Sequence, residues 1–273
     1  MKFIHLGDLH IGKNVNDFSM IDDQRYILNQ ILDIIDKNNV EGALLAGDIY
    51  DKPIPSEDAV SLLNNFINEL VKRNVKTFII SGNHDSDERL NFGSNLFEKS
   101  NVFIFSKYEG ELFKQTLNDE FGNINIFMMP FVKASQVKRY YEEEEILSYD
   151  DAVRTVLKHT EINESERNVI IAHQFVAGKS GNPECGGSES IATQSVGAVE
   201  IIGADCFDNF DYVALGHIHS PQKIDREPIR YSGSLLKYSL SEVDKNKSVP
   251  IINFSEKGKI DIDLIELKPL RDM

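Results

Sequence analysis

Apolar residues fall along this chain in two rhythms. Short, nearly continuous apolar runs occupy residues 2–6 and 42–46, each ending in Gly-Asp, and residues 77–81, which run into Gly82-Asn83-His84-Asp85. Runs of that length are expected of strands buried on both faces. Between them the spacing changes to three or four residues. Tyr26, Ile27, Ile31, Ile34 and Ile35 predict a helix over 22–37. A second helix is expected from Ser56, as N-cap, to about Arg73, with Glu57 and Asp58 in its first turn. This alternation predicts βαβα units with a parallel sheet, an α/β fold.

The second helix is apolar over an unusual width. Ala59, Val60, Leu62, Leu63, Phe66, Ile67, Leu70 and Val71 spread over about half its circumference at roughly 100° per residue. Two readings fit: burial on two sides within one chain, beneath residues 89–99, or a homodimer through the helices near 56–73 and 89–99. Farther along, short strands are expected over 102–131, helices over 133–141 and 148–159, and buried strands at 168–172 and 211–215. Short strands follow over 229–267. Residues 178–190 are rich in Gly and Ser and predict a mobile loop. With no repeat and no clear linker, 1–273 is expected to be one domain.

Composition adds bounds rather than a function. The chain has 273 residues, 41% hydrophobic and 27% charged, as ordinary globular domains do. No apolar run approaches the roughly 20 residues a membrane helix needs, and the first residues do not form a signal peptide. Two cysteines, Cys185 and Cys206, are too few for a disulfide framework, so free thiols in a cytoplasmic protein are expected. The net charge of −15 argues against nucleic acid gripped by a broad basic surface. That objection weakens where carboxylates bind cations.

The ends of the buried strands carry the chemistry. Asp8, His10, Asp48, Asn83, His84, Asp85, His173, His217 and His219 all follow such runs, and they include five of the seven histidines. In open α/β sheets the carboxyl ends of strands meet at one edge, where sites are built. Mixed Asp, His and Asn donors suit Mn²⁺, Fe²⁺ or Zn²⁺ better than Ca²⁺. So many donors can hold two ions about 3.5–4 Å apart, the arrangement that clamps both oxygens of a phosphoryl transfer. Gly7, Gly47, Gly82 and Gly216 precede the ligands, where close backbone approach is expected.

Asp8-Leu9-His10, Gly47-Asp48, Gly82-Asn83-His84-Asp85, Ala172-His173 and Gly216-His217-Ile218-His219 resemble, in order, the five motifs of calcineurin-like metallophosphoesterases. The resemblance implies a four-layer α/β/β/α sandwich and two divalent ions, with Mn²⁺ expected. Asp8, His10, Asp48 and His219 would bind one; Asp48, Asn83, His173 and His217 would bind the other. His84 would stand beside the scissile phosphate, its ring oriented by Asp85, while a water between the ions attacks.

Within that superfamily, Tyr212-Val213-Ala214-Leu215-Gly216-His217-Ile218-His219, Tyr231-Ser232-Gly233-Ser234-Leu235-Leu236-Lys237-Tyr238 and Pro269-Leu270-Arg271-Asp272-Met273 look like the branch of DNA nucleases that work with an SMC-type ATPase subunit. This implies endo- or exonucleolytic cleavage in double-strand-break or hairpin processing. It also implies that the branch's DNA-capping domain and ATPase-binding tail lie outside residues 1–273.

Two other functions fit the same residues. One is a phosphatase or cyclic-nucleotide phosphodiesterase, which the acidic charge favours; the other is a non-catalytic scaffold. Simpler readings hold elsewhere: His5 and His159 as structural, Asp51 and Arg89 as turn and helix-face residues, Lys13, Arg25, Lys138 and Arg139 as solvated charges, and Cys185 as an exposed, idle thiol.

Overall fold

A computed structural model describes residues 1–185 and 201–272. The part of the predicted loop beyond residue 185 lies outside the described residues. The principal strands are β1 (Lys2–Leu6), β2 (Gly42–Ala46), β3 (Lys76–Ile80), β4 (Val102–Phe105), β5 (Phe113–Asp119), β6 (Gly122–Met129), β7 (Arg167–His173), β8 (Tyr212–Gly216), β9 (Gln222–Ile224), β10 (Arg226–Tyr231), β11 (Ser248–Phe254) and β12 (Ile260–Glu266). The long helices are α1 (Ile21–Asn38), α2 (Glu57–Lys72) and α3 (Tyr149–Lys158).

The strands form two six-stranded sheets. One runs β12-β11-β1-β2-β3-β4 and the other β9-β10-β8-β7-β6-β5. In the first, β1 to β4 are parallel, as the βαβα pattern predicts, and β11 and β12 add antiparallel strands. In the second, β6, β7, β8 and β10 are parallel and β5 and β9 pair antiparallel at the edges.

Alternation along each strand sorts side chains between two faces. Phe3, Leu44, Phe78, Ile126, Val169, Tyr212 and Phe254 fill the space between the sheets. Ile4 and Leu45 face α1 and α2, whose Ile27, Ile31, Leu62 and Phe66 cover the first sheet. On the far side, Val153 and Val156 of α3, with Phe207 and Phe210, cover Phe127, Ile170 and Val213. The result is a four-layer α/β/β/α sandwich.

Local signals placed the helix ends well. The Ser56 Oγ accepts from the Ala59 N–H at 3.3 Å, and α1 ends at Asn39 in a left-handed conformation, φ 53°. The expected helix over 133–141 is cut to one turn, Ala134–Val137. Its last residues turn aside because Tyr140 packs edge-on against Tyr108 and the Tyr141 Oη lies 3.0 Å from the Tyr108 Oη. Residues 89–99 contribute only short helical turns, Asp87–Leu90 and Ser94–Phe97. They leave Phe92 and Leu96 84% and 71% exposed, and Val60 on α2 is 46% exposed. Among the described residues no helix is long and apolar enough to cross a membrane.

Candidate metal centre

Each predicted ligand lies at or just past the carboxyl end of a parallel strand. Asp8 and His10 follow β1, Asp48 follows β2, and Asn83, His84 and Asp85 follow β3. His173 ends β7, and His217 and His219 follow β8. The first three strands belong to one sheet and the last two to the other, so the site forms where both sheets end.

Two glycines permit that closeness. A Cβ on Gly216 would lie 1.9 Å from the Ala46 carbonyl oxygen, and one on Gly82 would lie 2.1 Å from Asp48 Oδ1. No other residue fits at either point without displacing backbone or ligand. The loops are wound tightly as well: Asp8, His10, Asp48 and His217 all have positive φ, at 52°, 44°, 48° and 97°. Such conformations are costly for non-glycine residues and cluster at functional sites.

The side chains converge in the interior. Asp48 Oδ2 lies 3.5 Å from His10 Nε2 and 3.4 Å from His173 Nε2, placing one carboxylate oxygen between the two halves of the site. His10 Nε2 and His219 Nε2 face each other at 3.0 Å. Asn83 Oδ1 is 3.1 Å from His173 Nε2 and 2.9 Å from His217 Nδ1. Three groups, Asp8–His10–His219, His10–Asp48–His84 and Asp8–Asp48–His173, bring their donor atoms within 4.8 Å of one another.

These residues fit a pair of cations on two grounds. The first is Asp8: its Oδ1 accepts the His217 N–H at 2.9 Å, while its Oδ2 is buried without a hydrogen-bond partner. A buried orphan of that kind needs a positive partner. The second is His173, whose Nδ1–H donates to the Ala46 carbonyl at 2.7 Å, turning Nε2 into the cluster.

Electrostatics agree. Burial pushes Asp8 up to about 6, against the pull of His173 and His219. Burial also disfavours a charged His173, yet Asp48, Asp8 and the Ala46 carbonyl together outweigh it and raise that ring to about 9. Asp48 stays well below the usual carboxylate range because its imidazole neighbours overcome the burial penalty. Burial lowers His217 to about 3 and takes His10 well below its ordinary value. The donors thus carry negative charge and imidazole lone pairs for which protons and a cation would compete.

His84 differs from the predicted ligands. Its side chain is 44% exposed, and its Nε2 lies 4.0 Å from Asp48 Oδ2. The expectation that Asp85 orients this ring needs correction. His84 Nδ1 donates to the Asp51 carbonyl oxygen at 3.2 Å. The Asp85 carboxylate instead accepts the N–H groups of Ile49, Tyr50 and Gly82 at 3.1, 2.9 and 2.9 Å. It ties the loop after β2 to the loop after β3. Burial and the nearby Asp48 raise Asp85 to about 6 despite those donors.

Several supporting residues are not legible in the sequence. Asp51, expected as a turn residue, also sets its Oδ1 3.6 Å from His10 Nδ1 and pairs with Lys13 at 2.7 Å. Gln24 on α1 donates to the His10 carbonyl at 2.7 Å and to the Tyr238 Oη at 3.0 Å, while Tyr238 donates to the Leu9 carbonyl at 2.7 Å. Gln24 gives no signal, since a lone polar residue on a helix is ordinary. His5 and His159 lie outside the cluster, as expected.

Fold and donor set together define a class, metal-dependent phosphoesterases built on paired sheets. The chain belongs to the calcineurin-like phosphoesterase family, whose profile matches residues 1–221. Over its whole length it is similar to the SbcD component of the nuclease SbcCD. The identity is 34% over 278 residues with the Staphylococcus epidermidis protein, covering 100% of this chain and 71% of that one. With the Staphylococcus saprophyticus protein it is 35% over 281 residues, covering 100% and 70%. A dimetal phosphatase from Danio rerio superposes with a TM-score of 0.53 over 99% of this chain and 98% of that one. At 11% identity it is a likeness of fold alone.

Proposed function

We propose that this chain is a Mn²⁺-dependent DNA nuclease that cuts phosphodiesters in double-strand-break or hairpin processing in the cytoplasm, with an SMC-type ATPase subunit as partner. The observation that carries the reading is the complete cluster of seven donors in a chain 34–35% identical to the SbcD component of nuclease SbcCD. Asp8, His10, Asp48 and His219 would hold one ion, and Asp48, Asn83, His173 and His217 the other. Two divalent cations there supply positive charge to both the attacking and the leaving oxygen of a phosphodiester.

The chain's own part is positioning and proton handling. Gln24, Tyr238 and Asp85 fix the loops that carry the donors. With its Nδ1–H committed to the Asp51 carbonyl, His84 presents Nε2 on the exposed side of Asp48. From there a protonated ring can stabilise a phosphoryl oxygen or pass its proton to the departing one.

Labelled duplex and hairpin DNA with MnCl₂ test this. Wild type cleaves, and His84→Ala slows cleavage by about 10²–10⁴-fold while Mn²⁺ still binds. DNA left intact by wild type, or cut equally by both proteins, removes the nuclease reading. The net charge of −15 favours a second reading, a small-molecule phosphodiesterase. Rapid turnover of bis-p-nitrophenyl phosphate or a cyclic nucleotide with DNA untouched would establish that one.

A further inference from the structure

The loop bearing His217 and His219 is clasped from residues that follow the family match, which ends at 221. Glu242 and Lys247 are an ion pair with side chains 0% and 4% exposed, 2.5 Å apart. Lys247 Nζ also donates to Ser234 Oγ and to the His219 carbonyl oxygen, both at 2.8 Å. All three ammonium donors are thus used, as a buried lysine requires. The other carboxylate oxygen, Glu242 Oε1, stands 3.8 Å from His219 Nδ1, on the side of the ring away from His10.

We propose that Glu242, held by Lys247, is a positioning residue that turns His219 Nε2 toward the metal cluster. This rests on the metal-centre reading above. A carboxylate beside Nδ1 favours the tautomer with the proton there, which leaves the Nε2 lone pair facing Asp8 and His10. The same lysine fixes the backbone of that residue through its carbonyl. One buried pair therefore sets both the place and the tautomer of a ligand. A buried ion pair is poor at stabilising a fold compared with apolar packing of the same volume, so its presence against a ligand points to orientation.

The test uses the full chain as wild type, Glu242→Gln and the doubly neutral Glu242→Gln/Lys247→Met. Imidazole ¹⁵N shifts without added metal report the His219 tautomer, and calorimetric titration with MnCl₂ reports affinity. Wild type shows His219 protonated at Nδ1. Both variants lose that preference, and one Mn²⁺ step weakens by about 10–100-fold, the usual loss when a ligand's outer partner is removed. The double variant regains the melting temperature but not the affinity, and it carries the test if Glu242→Gln does not fold. An unchanged tautomer with wild-type Mn²⁺ binding, or affinity that returns with stability in the double variant, overturns the proposal. Wild type that binds no Mn²⁺ overturns the metal-centre reading, and this inference with it.

Discussion

Asp85 shows how little of a residue's role its chemical type reveals. A carboxylate next to a catalytic-looking histidine invites an Asp–His pair, yet this one accepts three backbone N–H groups from two loops. Bonds to a charged acceptor are among the stronger ones, so Asp85→Ala is expected to cost roughly 2–3 kcal/mol in urea denaturation. A variant as stable as wild type would mean the loops are held by something else. His5 makes a different prediction. It is fully buried with Nδ1 3.0 Å from the Tyr212 Oη, and burial lowers its pKa from 6.5 to about 3. The folded ring is neutral while the unfolded one takes up a proton below 6.5. Its contribution is therefore complete above pH 6.5 and lost as the pH falls toward 3, at up to about 1.4 kcal/mol per unit. His5→Gln should flatten that part of the stability–pH curve, and parallel curves for the two proteins would refute the account. The residues that converge at the candidate metal centre were readable from the sequence because each Asp, Asn or His sits at or just past a strand end. Asp51 and Gln24 were not, because each acts partly through backbone groups that have no sequence signature.

At the level of elements, strands and helices with strong periodicity appear where the pattern places them, as do the short strands expected over 102–131 and 229–267, while the smallest elements escape it. The hairpin Asn14–Val15 with Phe18–Ser19 has strands of two residues, below any readable period. The helix expected over 133–141 stops early because tertiary contacts of Tyr140 and Tyr141 prevail over local propensity. The wide apolar face of α2 divides between core and surface. Ala59, Leu62, Leu63, Phe66 and Leu70 are buried in the chain, whereas Val60 of α2 and, in the segment after β3, Phe92 and Leu96 are exposed. We propose that these meet their counterparts on a second copy. Leu96→Asp or Phe92→Asp should then weaken the dimer by roughly 2 kcal/mol or more, as interface anchors do, measured by sedimentation velocity. A wild type that sediments as a monomer at micromolar concentration would dismiss the interface.

For the molecule as a whole, the proposed ligands come from both sheets, so cation binding there would be linked to the stability of the sandwich. Mn²⁺ at about a hundred times its dissociation constant should stabilise the fold by roughly 2.7 kcal/mol. For a chain of this size that is a rise of about 5 °C in melting temperature, reversed by EDTA. A melting curve indifferent to both would show that the donors bind no ion of consequence. Side-chain type and short spacing were enough to set the strand and helix periods, the class of chemistry and the residues able to ligate. Neither could reveal which oxygen stands between two histidines, which carbonyl holds His84, or how Glu242 and Lys247 reach His219. Those depend on distances between segments far apart along the chain, and such distances exist only once the two sheets have packed.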